Sequence, residues 1–148
     1  MIIVKNPLAV VTVFLWIGFV SAISFMEAWL KFRAPGITLP LGLGIGRLVF
    51  NALNKVEWIF VIAGIATLYF SKVKFFSFRN SSLFAPVILL IIQTIWLLPV
   101  LDARAEMHIQ GQAVQPSNIH FYYVGMEAVK VVCLFIFGIS LFKTRVVL

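Results

Sequence analysis

Four charge-poor apolar runs constrain this 148-residue chain more than any motif it carries. They fall at about 8–30, 46–70, 83–101 and 120–142. At about 1.5 Å of rise per residue, each is roughly 30 Å long as a helix, which matches the hydrocarbon layer of a bilayer. With 62% hydrophobic and 11% charged residues, and a mean hydropathy of +1.07, the chain has more apolar surface than a small soluble fold can hide. The expected fold is therefore all-α: one integral membrane domain over residues 1–148, built as a four-helix up-down bundle with short links. Soluble nucleotide-binding enzymes, disulfide scaffolds and disordered tails are excluded. Residues 1–22 have the outline of a signal peptide, ending in Val20-Ser21-Ala22. The apolar run continues to Leu30, so an uncleaved first span is expected. The single cysteine, Cys133, lies inside an apolar run and reads as a small buried hydrophobe.

Orientation follows from the basic residues. Lys5, Lys72, Lys74, Arg79, Lys143 and Arg145 cluster at one end of the expected bundle, with no acid among them. The positive-inside rule then places both termini and the 71–82 loop in the cytoplasm. The net charge of +7 and the pI near 10 are explained by topology, so the bilayer is the expected partner and nucleic acid is not. The opposite half holds Lys31, Arg33, Arg47, Lys55, Arg104 and Lys130, all five acids (Glu27, Glu57, Asp102, Glu106 and Glu127), and His108 and His120. That mixture reads as a mutually compensated network.

Depth sharpens it. Glu57 and Lys130 both fall about 18–20 Å from the cytoplasmic ends of their helices, so they are expected to meet. A charge near the bilayer centre costs on the order of 3 kcal/mol and normally faces the bundle interior. In the fourth span His120, Tyr123, Glu127 and Lys130 form one helical stripe; in the second, Arg47, Asn51, Asn54 and Trp58 form another, with Glu57 at its edge. Ser24, Glu27 and Lys31 line the end of the first span. An outward-facing polar cavity among spans one, two and four is expected. Glu57 with Lys130 forms its floor, Glu127 with Asn54 its wall, and Glu27, Arg47, Asp102 and His120 its mouth. Asn51 and Tyr123 belong to the same stripes. Gln93 is a further polar group at depth, and Glu127 has no basic partner at its own level.

The 31–46 link is apolar, with prolines at 35 and 40 and glycines at 36, 42, 44 and 46. A re-entrant or interfacial segment between the first two helices is expected, because proline discourages a continuous helix. Free N–H groups near Arg47 at the start of span two suggest an anion site, with close helix packing as the alternative. The 104–119 loop reads as a helical extension of span three, a turn at Gly111, a break at Pro116, and an N-cap at Ser117 or Asn118. His108 and His120 with Asp102, Glu106, Glu27 and Glu127 offer metal-ligand chemistry, but no tight ligand spacing is present. The sequence assigns no metal and names no cofactor.

The layout resembles small four-span bacterial membrane proteins classed as domains of unknown function. The residues that carry the resemblance are Ser24-Phe25-Met26-Glu27, the Pro/Gly link, Gly46-Arg47 opening a span with Glu57, Asp102-Ala103-Arg104, and His120 opening the last span. It implies a bacterial inner-membrane location and carries no activity. The expected function is binding or transport of a small ligand or ion in the outward pocket, with a homo-oligomer where transport occurs. Two rival classes stand beside it. One is an accessory subunit of a membrane complex, whose polar network only fixes the bundle. The other is an intramembrane enzyme with Glu127 or His120 as acid–base.

Overall fold

The computed structural model describes residues 2–4, 6–70 and 81–144. Each apolar run is a helix: α1 (Pro7–Arg33), α2 (Leu39–Phe70), α3 (Ser82–Ile109) and α4 (Ile119–Ser140). All four are long and apolar enough to cross a membrane. The 71–80 loop, Lys5 and Arg145, on which the orientation argument largely rests, lie outside the described residues.

Capping explains where the helices start. Asn6 accepts a hydrogen bond from the Ala9 amide at 3.2 Å, and Pro7 fills a first-turn position that needs no N–H. The Asn6 amide also donates to the Thr67 carbonyl at 3.0 Å, tying the start of α1 to the end of α2. The irregular backbone expected of a re-entrant or interfacial 31–46 segment is corrected here. Thr38 caps α2 by accepting from the Leu41 amide at 3.4 Å, and residues 39–46 form the first two turns of the helix. Pro40 sits in the first turn, where a missing N–H costs nothing. Only 34–38 is irregular, turning at Gly36 with φ 81°. The turn at Gly111 occurs as expected, with φ 73°. Asn118 occupies the cap position of α4, but it is the Ser117 hydroxyl that accepts the Ile119 amide, at 3.2 Å.

Two short segments join at one end of the bundle. β1 (Ile2–Val4) and β2 (Phe142–Thr144) pair antiparallel, with Ile3 opposite Lys143. This ladder marks one pole of the molecule, and the links 34–38 and 110–118 mark the other. α1 packs against α2 and α4. The half of α3 nearer the ladder packs on α4, and its far half packs on α2. The change of partner coincides with a widened π-helical turn at Gln93–Leu97, just before Pro99, whose ring interrupts the regular backbone ladder. Because its far half leaves α4, the four helices part at that end.

Trp16, Leu53, Leu90, Leu134 and Phe137 fill the centre and are essentially inaccessible. The outward faces are equally apolar. Leu48, Ile62, Ile95 and Phe121 are 66–75% exposed, which suits hydrocarbon and not water.

Candidate functional site

Two polar structures occupy the middle and the far end of the bundle. The deeper one centres on Lys130, whose Nζ lies 2.5 Å from Glu57 Oε1, 2.7 Å from Gln93 Oε1 and 3.0 Å from Glu127 Oε1. An ammonium carries three N–H donors, so all of its donors are used. Gln93 donates its amide to Glu127 Oε1 at 2.8 Å, and the Trp16 indole N–H donates to Glu57 Oε1 at 2.8 Å. All four helices contribute. Each of these residues lies about 14–20 Å along its helix from the ladder end, which puts them in one layer. Glu57, Gln93, Glu127 and Lys130 are at most 1% exposed.

The expected Glu57–Lys130 pair is therefore present, with additions and corrections. Glu127 does have a basic partner, because Lys130 sits one turn away at i+3 and its three donors serve both carboxylates. The Glu127–Asn54 wall does not form. Asn54 faces α3 and donates to the Thr94 hydroxyl at 2.9 Å, which also accepts from the Trp58 indole at 3.1 Å. Gln93 is a member of the cluster that depth alone had marked only as polar. Trp16 was missed; its position at the level of Glu57 is the signal that could have found it.

The second structure is a cavity of about 240 Å³ at the far end, open on one side and lined mainly by apolar groups. Phe32, Leu43, Phe50, Leu98 and Leu101 supply its body. Lys31, Arg47, Asn51, Asp102, His120 and Tyr123 supply its polar groups. Arg47, Asp102 and His120 of the expected mouth are among its lining residues, and α3 stands beside the expected three helices as a wall. Glu57, Asn54, Glu127 and Lys130 do not line it. The expected floor pair lies beneath the cavity, beyond Tyr123, which is 1% exposed and packs edge-on against Phe50 with ring centroids 5.3 Å apart. The Tyr123 side chain lines the cavity and lies beside Glu127 and Ser24.

Ion pairs hold the cavity walls. Arg47 grips Asp102 with a two-pronged contact, Nε to Oδ1 at 2.6 Å and Nη2 to Oδ2 at 2.9 Å, and its third nitrogen reaches Glu106. This clamp fastens α2 to the far half of α3. Lys31 pairs with Glu27 at 3.1 Å and lies 5.3 Å from the Phe50 ring centre and 5.5 Å from that of Phe32. Glu27 supports the wall through Lys31 and is not itself a lining group. Asn51 lines the cavity while donating to the Arg47 carbonyl at 2.9 Å. Every acid is thus ion-paired, in three separate groups in place of one continuous network. Lys55, counted in that network from sequence, is exposed and joins no ion pair among the described residues.

Among the described residues no three His, Cys, Asp or Glu side chains gather as metal ligands, because Asp102 and Glu106 both turn to Arg47. His120 borders the cavity, whereas Glu127 is sealed below it. Of the expected likeness to four-span bacterial proteins, the four apolar helices suggest a membrane protein and nothing finer. The chain matches no protein-family model, no curated protein and no solved structure.

Proposed function

We propose that this chain is a multi-pass protein of a bacterial inner membrane, an up-down four-helix bundle with both termini cytoplasmic, whose cavity binds a small amphipathic molecule from the outer side. The apolar outer faces of all four helices support the membrane setting. Six acid-free basic residues, which the sequence assigns to one end of the bundle, support the orientation. The observation that carries the binding reading is the 240 Å³ cavity itself, an apolar body with a few converging polar groups, which is the usual make-up of a small-molecule site. Its chemistry suits a ligand with an apolar body and one polar head able to meet Lys31, Asn51 or His120. The proposal is binding and not passage, because Tyr123 and the buried charges close the floor. Movement across the bilayer would require a second copy or a partner.

Native mass spectrometry of the chain released from lipid nanodiscs tests this reading. Wild type is expected to carry a small molecule that Ala105→Phe, which fills the cavity, does not carry at unchanged melting temperature. A bare wild type, or the same adduct on both, would contradict it. A bare wild type would favour the second reading, an accessory subunit. The pairing of every acid supports that alternative, since satisfied polar contacts also hold membrane helices together.

A further inference from the structure

The buried cluster does not balance. Lys130 brings one positive charge, and its three oxygen neighbours identify it as the ammonium form. Glu57 and Glu127 bring two carboxyl groups, both closed to solvent. Among the described residues no other charged side chain enters from any helix. α1 presents Trp16 and Ser24, α3 presents Gln93, and α4 adds only Tyr123. With both carboxyls ionised the cluster would hold a net charge of −1 in an apolar interior, where an uncompensated charge is far more costly than in water.

The hydrogen bonds point the same way. All the donors converge on one oxygen of each glutamate: Glu57 Oε1 takes Lys130 and Trp16, and Glu127 Oε1 takes Lys130 and Gln93. The other oxygens, Glu57 Oε2 and Glu127 Oε2, are buried and take no donor of good geometry, and nor does Ser24 Oγ; the Tyr123 hydroxyl is the polar group nearest to Glu127 and Ser24 on this side. Two ionised carboxylates would call for donors on both oxygens of each, and one proton taken up by the pair lowers that demand.

We propose that Glu57, Lys130 and Glu127 form a proton-binding site, in which the two carboxyls hold one proton between them at neutral pH and the cluster is thereby neutral. The proton adds to one carboxylate oxygen, forming an O–H bond and removing one negative charge; it belongs to the coupled pair and not to either residue. A proton needs no cavity of its own, which suits a cluster lying below the open cavity. The site does not depend on what that cavity binds, and the two can be tested apart.

Infrared spectroscopy of the full chain in an ester-free detergent at neutral pH reads this directly. Glu27, Asp102 and Glu106 each face a cation, so a carboxylic-acid carbonyl stretch from the described residues has one expected source. The band is expected in wild type, shifting in D2O, and is expected to vanish in both Glu57→Gln and Glu127→Gln, each of which leaves one carboxylate for one ammonium. Absence of the band from wild type would overturn the proposal. Its survival in either variant would also overturn it, by assigning the proton to one carboxyl alone. Wild type and two independent variants keep the test decisive if one substitution fails to fold.

Discussion

Lys130 Nζ lies 2.5 Å from Glu57 Oε1, joining α4 to α2 at a height where both side chains are shut off from solvent. Removing one member of a buried ion pair leaves the other uncompensated, at a cost of about 3–5 kcal/mol. Lys130→Met is expected to lose stability on that scale in detergent unfolding. Adding Glu57→Gln should restore part of it, with a coupling energy above about 1 kcal/mol. Additive losses in the double variant would show that the pair does not interact.

Glu127→Gln should be mild by comparison. A glutamine carbonyl can accept the same two donors that Glu127 Oε1 accepts, and one carboxylate remains for one ammonium. Its stability is expected to stay within about 1 kcal/mol of wild type. Gln93→Leu, in contrast, takes an oxygen from Lys130 and a donor from Glu127, at an expected cost of about 1–3 kcal/mol. The reverse ranking in unfolding measurements would contradict this account of the cluster.

Glycines test the helix packing. A methyl group on Gly138 would sit 3.1 Å from the Phe14 ring and 3.2 Å from Val13, where α4 crosses α1 closely. One on Gly64 would meet nothing within 4 Å. Gly138→Ala is expected to be less stable than Gly64→Ala by about 1 kcal/mol, from overpacking at the first and a helix-propensity gain at the second. Equal melting would contradict the close approach.

Arg47 should not tolerate lysine. The guanidinium reaches Asp102 through two nitrogens and Glu106 through a third, and an ammonium cannot reproduce that fork. Both carboxylates are partly exposed, so Arg47→Lys is expected to lower stability only slightly. Unfolding in low salt and in high salt would check it, with a larger difference expected in low salt. No difference in either would mean that the clamp does not hold α3 on α2.

The helices were legible because four apolar runs of bilayer length leave few alternatives, and the Glu57–Lys130 contact was legible because depth along a helix is simple arithmetic. The misreadings have physical causes. Pro40 resembled a helix breaker, yet in the first turn of α2 it has no hydrogen bond to lose. Glu127 looked unpaired because Lys130 had been assigned to Glu57, although one ammonium has donors for both. Asn54 was expected to turn toward α4, but sequence spacing places a residue on a face without saying which helix that face meets. Trp16 and Thr94 went unnoticed because tryptophan and threonine are ordinary in apolar spans, and only their partners make them polar contacts. The partner change along α3, which opens the cavity, leaves no mark in the composition.

The central claim is a four-span bundle whose cavity opens to the outside of the cell. Cysteine accessibility in intact bacteria tests it most directly. In a Cys133→Ala background, Ala105→Cys lies on the cavity wall at 7% exposure and Leu134→Cys lies in the sealed core at 0%. A membrane-impermeant thiol reagent is expected to label the first and not the second. Labelling of Ala105→Cys only after the membrane is opened, or not at all, would contradict the account.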